Sequence, residues 1–457
     1  MGSQTKVIPL IDPLHELQKA YCLVKLSGEL RVADRQQIAE VLSGRQSGHV
    51  DFYKAADATK LMARFLETLA APSKPKQVID NFWVSPATHV YDAVAFSPLS
   101  QPATTLNYWV PCPVVPAQGD WSIIRLFLLV VLCDGNRALF DYLLRYLAHM
   151  LQRPEEKPGV MLVFLGGQGT GKGTFFVLLR RLWPRTTLQV SDVDHVVGQF
   201  NAALERNYVI CMDEALFAGD RKARDRLKSL VTDSPITIEQ KYQPRRSIES
   251  FHRFVAASNH EHFANVEADD RRFVFFRVSD KHQEDLVYFA ALHAALDDPA
   301  VISAMVHDLL ALDLSGFNVR ERPKTAEHTK QKLKSLQGFD RYWHEVLQAG
   351  DFYLGDPSGF TKAWDQPCFI STSDLRAGCQ NFHKSVRQFQ TLQEQDIHAS
   401  LQKLCPDARR DRTTSPLGKQ VRGFQLPALS VARGTFAAAI GGKVDWHFGD
   451  DEARDGQ

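Results

Sequence analysis

The stretch LGGQGTGKGTFF, Leu165 to Phe176, holds the residue types of a phosphate-gripping loop. Gly166, Gly167, Gly169 and Gly171, with Thr170 among them, let a backbone curl until its N–H groups converge on an anion. Lys172 stands where an ammonium reaches the β- and γ-phosphates of a nucleotide. The usual pattern places a hydroxyl directly after that lysine. Here Gly173 follows, and Thr174, one residue late, is the near candidate to help hold Mg²⁺. A glycine-rich turn that binds nothing is the plain alternative, and it leaves Lys172 in register without a reason.

Three more motifs follow in order. YVICMDEA ends an apolar run on Asp213 and Glu214. Carboxylates at the C-terminal end of a buried strand face the crevice where α/β sheets bind ligands. Asp213 would hold Mg²⁺ through water, and Glu214 would polarise an attacking water. RFVAASNH closes another apolar run on Asn259, whose amide would position that water. EADDRRFVFFRVSD sets Arg271 and Arg272 just before a strand. An arginine offered there suits a neighbouring molecule's γ-phosphate, and pairing with Asp269 or Asp270 is the structural alternative.

These residues need a scaffold, and the pattern supplies one. VMLVFL, YVICMDE and RFVAASNH read as buried strands, and TLQVSD as a further strand. GTFFVLLRRLW, VDHVVGQFNAALE and DRKARDRLKSLVT read as the helices between them. Strands alternating with helices indicate a three-layer α/β core. Upstream, AYCLVKLSGELRVAD reads as a hairpin, and Ser97 to Gly119 as a proline-rich extended connector. Trp121 to Gln152 reads as helices broken at Asp134-Gly135-Asn136.

A net charge of +1 says nothing in bulk about nucleic acid, so local patches must. The seven cysteines show no C-x-x-C pair, which argues against structural zinc and fits free thiols in a reducing compartment. No secretory signal precedes the first elements, and IIRLFLLVVLC is too short to span a bilayer. A soluble, cytoplasmic protein without membrane partners is the expectation.

The order of phosphate loop, Asp-Glu strand, Asn strand and arginines resembles the superfamily 3 helicases of the AAA+ class. The chain is most similar to the helicase part of phage and plasmid primase-helicases, whose loop likewise reads G-x-G-K-G-T-F. YLLRYLAHMLQRPEEKPGVMLVFLGGQGTGKGTF, LKSLVTDSPITIEQKYQ and FNVRERPKTAEHTKQKLKSL carry the likeness beyond the loop, over roughly residues 80 to 340. The resemblance implies ATP and Mg²⁺, a homo-oligomeric (hexameric) ring in a bacterial host's cytoplasm, and single-stranded or forked DNA as the track. It implies Lys172, Glu214, Asn259, Arg271 and Arg272 as catalytic, and Thr174 and Asp213 as metal-holding. Gly173 departs from the Ser/Thr of typical superfamily 3 loops. No acidic primase cluster precedes residue 110, so priming would fall to a separate primase or polymerase.

The division expected from this likeness is a mixed α/β N-terminal region (1–115) and a helical lead-in (116–155). A P-loop AAA+ core (156–285), a helical segment (286–345), a small winged-helix-like domain (346–440) and a polar tail (441–457) follow. In the family a hairpin between the acidic and Asn strands points into the ring channel. Here ITIEQKYQPRRSIESFHR would place Lys241, Tyr242, Arg245 and Arg246 against DNA phosphates and bases. Arg409, Arg410 and Arg412 would lie on a wing that grips a duplex. RPKTAEHTKQKLKSL is expected to be a solvated helix face. Two rival readings are a regulatory, loader or defence ATPase that binds nucleic acid without unwinding, and a nucleoside monophosphate kinase, whose loop also ends G-K-G-T.

Overall fold

The computed structural model describes residues 12–26, 28–43, 50–69, 74–214, 221–239, 245–260, 263, 271–354, 361–386, 393–414 and 418–446. Near the N-terminus, Tyr21–Leu26 and Glu29–Asp34 form the expected antiparallel hairpin, and Val90–Tyr91 adds a third strand. Helices Pro13–Ala20, Ala55–Thr68 and Pro75–Val84 bury Leu17, Met62, Leu66, Ile79 and Phe82 against it. The proline-rich connector holds one short strand, Thr105–Asn107, which pairs in parallel with Ala93–Ala95.

The central element is a five-stranded sheet. Its strands are numbered β1 (Met161–Leu165), β2 (Thr187–Val190), β3 (Val209–Met212), β4 (Arg253–Ser258) and β5 (Phe273–Arg277). All pair in parallel, in the order β5-β1-β4-β3-β2. Parallel strands are covered on both faces, and accordingly every residue of β1, β3 and β4 is buried. The two-residue period sends alternate side chains to opposite cores. Leu162 and Phe164 pack with helices Arg137–Gln152, Lys172–Leu182 and Pro299–Ala311, whereas Met161, Val163 and Leu165 join Leu227, Leu230 and Val231 of helix Arg221–Thr232.

Four expectations need correction or refinement. VDHVVGQFNAALE does not form one helix but two short ones, Asp194–Val197 and Ala202–Arg206. At Gly198 a Cβ would stand 2.2 Å from the Asp194 carbonyl oxygen, and Asn201, 0% exposed, turns its amide inward to the neighbouring hairpin. Asn201 donates to the Thr237 carbonyl (3.1 Å) and accepts from the Glu239 N–H (2.8 Å), so tertiary pairing overrides the helical period.

The second point is a refinement: the lead-in is helical and breaks at Asp134-Gly135-Asn136 as expected, but its first part is not a uniform α-helix. Ser122–Leu126 continues into a wider π-helical segment, Phe127–Leu132, before Arg137–Gln152. The third concerns boundaries. Phe127, Leu143, Phe164, Leu292 and Met305 share one core, so residues 155 and 285 are not edges of separate cores. The cut at 345 falls inside helix Gly338–Ala349, whose Phe339, Tyr342, Trp343 and Val346 belong to the C-terminal core.

Fourth, the supposed solvated face, helix Ala326–Lys334, is largely covered. Gln331 is 0% exposed and accepts from the Phe263 N–H, while Lys332 Nζ donates to the Ile440 carbonyl at 2.8 Å. This helix bridges the central sheet and the C-terminal unit.

That unit runs helix Gly338–Ala349, strand Cys368–Ser371, helices Thr372–Ser385 and Glu394–Leu404, an antiparallel hairpin Arg409–Thr414/Gln420–Leu426, and helix Leu429–Ile440. Trp343, Trp364, Ile370, Leu401 and Phe436 fill its core. All six residues of Arg409–Thr414 are exposed, with Arg412 directly across from Arg422. Among the described residues no single helix is long and apolar enough to cross a membrane. Leu286–Asp297 and Pro299–Ala311 reach the length together but bend by 76°.

Candidate active site

β1 delivers the glycine loop at the C-terminal edge of the sheet, and helix Lys172–Leu182 starts directly behind it. Gly171 caps that helix at φ +95°, a left-handed turn that a side chain resists. Residues of the first helical turn line the cleft, and the unbonded N–H groups of such a turn suit an anion. Thr170 Oγ1 donates to the Gly167 carbonyl at 2.9 Å and braces the curl. Lys172 is 7% exposed and donates to the carbonyls of Gly166 (2.8 Å) and Gly167. Burial holds its pKa below the ordinary lysine value, while Asp213 and Glu214 pull it back up.

The strand order explains how distant motifs meet. β1 and β3 are not neighbours, because β4 lies between them. Ser258 pairs with Leu165 and Ala256 with Met212, so the three strands end together. Asn259 therefore follows β4 between the glycine loop and the Asp213-Glu214 pair. Glu214 takes φ +52°, an uncommon backbone for a glutamate, and its N–H donates to Asp213 Oδ1 at 3.1 Å. Gln189 Nε2 reaches Asp213 Oδ2 at 3.4 Å from β2.

A cleft of about 420 Å³ results, lined by Gln168 to Thr174, Asp213, Glu214 and Asn259, and by Val177, Phe289 and His293. Gly166 and Gly167 lie behind that lining, where their carbonyls hold Lys172. Thr174 is 7% exposed and shares the cleft with Asp213, whereas a Cβ on Gly173 would meet nothing within 4 Å. Among the described residues no three His, Cys, Asp or Glu gather as a metal cage. The donor set of one hydroxyl and one carboxylate fits Mg²⁺, which takes few protein ligands and completes its shell with phosphates and water.

Arg271 and Arg272 lie elsewhere. The Arg272 carbonyl accepts from the Met161 N–H (2.7 Å), at the start of β1. The loop lies beyond the other end of β1, roughly 13 Å further along at the usual strand rise. Arg271 is exposed at that far edge. Asp269 and Asp270, their alternative partners, lie outside the described residues.

The hairpin is present, with Ile236–Ile238 antiparallel to Arg246–Ile248. Lys241 and Tyr242 lie outside the described residues. Arg245 is exposed and pairs with Glu239 at 3.2 Å, and the Arg246 backbone pairs with Ile238. Lys157 ties the hairpin's base to the turn before β1, donating to the Leu230 carbonyl (2.8 Å) and to Ser250 Oγ (2.5 Å). Burial pushes this lysine down to about 7, against the pull of Asp233.

Sequence reasoning missed the wall opposite the loop. Gln283 Nε2 donates to the Gln168 carbonyl (2.8 Å) and the Glu284 N–H to the Gly169 carbonyl (3.3 Å). The Phe289 ring lies over Gly171, where a Cβ would come within 2.8 Å of it. The helical pattern of Leu286–Asp297 signals a helix, and nothing in it signals which side faces the cleft.

Residues 164–272, from β1 through the arginines, match the model of a family of unknown function, DUF5906. Over 176 residues the chain is 31% identical to a DNA primase-polymerase of Nitratiruptor phage NrS-1, and is homologous to it. That match covers 37% of this chain and 24% of the phage protein, so it spans about a quarter of the relative's length. The apo structure of the NrS-1 C terminal region (305–718) has a similar fold: TM-score 0.62, 18% identity, 91% of this chain and 99% of that one. An A form of the same region superposes with TM-score 0.62 and 17% identity, over 91% and 100% of the two chains.

Proposed function

We propose that the chain is an ATP-driven DNA helicase or translocase of the superfamily 3, AAA+ kind, acting in replication of a phage or plasmid-like element. The observation that carries this reading is the convergence of Lys172, Thr174, Asp213, Glu214 and Asn259 on one cleft from three separate strand ends. Homology to a phage primase-polymerase supports the replication setting.

In this reading the loop amides and Lys172 grip the β- and γ-phosphates, and Thr174 and Asp213 hold Mg²⁺. Bound magnesium neutralises charge that develops on the transferring phosphoryl group. Glu214 orients and polarises the attacking water, and Asn259 fixes its position. Arg271 and Arg272, too far along β1 to serve their own cleft, serve the cleft of the next subunit in a homohexameric ring. Lys241, Tyr242, Arg245 and Arg246 follow single-stranded or forked DNA from the hairpin. The C-terminal hairpin with Arg409, Arg410 and Arg412 acts as the wing of a winged-helix-like domain on duplex DNA, and a separate primase or polymerase supplies primers.

The test is DNA-stimulated ATP hydrolysis by the wild type and by Lys172→Ala, with unwinding of a forked duplex measured in parallel. Loss of both activities in the variant is expected. Normal hydrolysis by Lys172→Ala would remove the site assignment, and wild-type hydrolysis without unwinding would favour a loader or regulatory ATPase.

A further inference from the structure

The lining of the cleft is of two chemical kinds. One is the glycine loop with its lysine and the carboxylates across from it. The other is Val177, Phe289 and His293. Val177 lies one turn beyond Thr174 on helix Lys172–Leu182. Phe289 and His293 are four residues apart on helix Leu286–Asp297, so one face of that helix presents both. Phe289 is half-buried and braced against the loop, since a Cβ on Gly171 would lie 2.8 Å from its Cε1 and 2.9 Å from its Cζ. His293 is exposed at the rim. The bonds from Gln283 and Glu284 to the carbonyls of Gln168 and Gly169 fix the start of this segment on the loop, so the wall and the loop hold a set spacing.

We propose that Val177, Phe289 and His293 form the nucleobase subsite of the cleft. The inference rests on the phosphate-loop reading and adds where the rest of the nucleotide lies. A triphosphate anchored at Lys172 carries its sugar and base further along the cleft, and the flat apolar face of a base needs apolar cover. Val177 and the Phe289 ring supply that cover, and the aromatic ring adds stacking. His293 offers a ring nitrogen to a base edge or ribose hydroxyl. The volume of about 420 Å³ lies within the range of small-ligand sites.

Two probes separate the two kinds of lining: Mg·ADP, which has a base, and inorganic tripolyphosphate, which has none. Their dissociation constants are measured by calorimetry for the wild type, Phe289→Leu, His293→Ala and Lys172→Ala. Phe289→Leu keeps apolar bulk over Gly171 but loses the ring, and is expected to weaken ADP about tenfold. His293→Ala, at an exposed position, should weaken ADP about threefold. Neither changes tripolyphosphate binding, and Lys172→Ala loses both probes. Equal loss of both probes in Phe289→Leu and His293→Ala, or unchanged ADP binding in both, overturns the base subsite and leaves the phosphate loop standing. Wild-type binding of both probes by Lys172→Ala overturns the phosphate loop itself, and the subsite with it.

Discussion

Lys172 donates to the Gly166 carbonyl oxygen at 2.8 Å, so the lysine of the glycine loop is folded back onto the loop that carries it. A bound phosphate competes for the same ammonium. Lys172→Met removes a buried cation together with its hydrogen bonds, two opposing effects that should shift stability by only about 1 kcal/mol. Ligand at a hundred times its dissociation constant adds about 2.7 kcal/mol to the wild type, and this addition should vanish in the variant. Thermal denaturation with and without Mg·ADP decides it, and an equal rise in both proteins contradicts the prediction.

Gly171 and Gly173 should answer substitution in opposite ways. At Gly171 a Cβ meets both a φ of +95° and the Phe289 ring, so Gly171→Ala should cost about 2 kcal/mol or more. At Gly173 the space is open, and Gly173→Ser should stay within about 0.5 kcal/mol of the wild type. Urea denaturation of the two variants measures the difference.

The metal-holding role proposed for the late hydroxyl has its own test. Thr174→Ala should raise the Mg²⁺ concentration for half-maximal ATP hydrolysis about tenfold, while Thr174→Ser restores it, if the hydroxyl is worth one charge-assisted contact. Equal Mg²⁺ dependence in Thr174→Ala and the wild type would assign that contact to another group.

The position of Arg271 and Arg272 beside the start of β1 gives a mixing experiment. Lys172→Ala and the double variant Arg271→Ala/Arg272→Ala should each be inactive alone. In the proposed ring, mixed subunits would pair an intact cleft with an intact arginine edge at some interfaces, so a measurable fraction of hydrolysis should return. Mixtures that stay as inactive as their components would place the arginines outside the reaction.

His252 predicts an acid limit. It is 2% exposed, its Nδ1 lies 2.8 Å from Ser250 Oγ and its Nε2 2.9 Å from the Leu204 carbonyl. Burial pushes its pKa down to about 4, aided by Lys157 and Arg253, against the pull of the Leu204 carbonyl. With the folded pKa below the unfolded value of about 6.5, the unfolded chain binds the proton first. Stability is therefore full above pH 6.5 and falls as the pH drops toward 4, by on the order of 3 kcal/mol from this residue. His252→Gln should flatten that part of the stability profile, and an unchanged slope between pH 6.5 and 4 would count against the assignment.

The parts of the fold that could be read from sequence are those whose local pattern and tertiary role agree. β1, β3 and β4 are apolar throughout because both faces are covered, and short apolar runs ending in Gly, Asp-Glu or Ser-Asn mark where they surface. Lys172, Asp213 and Asn259 were legible for that reason. The break at Gly198 was not, because Asn201 is drawn to Thr237 and Glu239, residues far away in sequence. Phe289 and His293 were hidden likewise, since a helix's own period does not say what lies across from it. Helix Ala326–Lys334 misled most directly, because its charged composition describes water-facing helices in general and this one lies between two cores.

That last helix has a mechanical side. The seam it forms combines a side-chain amide accepting from the Phe263 N–H and an ammonium donating to the Ile440 carbonyl with apolar and ring contacts, Leu333 on the C-terminal core and His328 beside Phe275. Water would offer the amide and the ammonium substitute partners, but it would not replace the apolar contacts, so the two kinds of contact resist separation differently. The hairpin bearing Arg409, Arg410 and Arg412 is therefore joined to the sheet through a mixed seam, in which the hydrogen bonds set direction and the apolar contacts add adhesion.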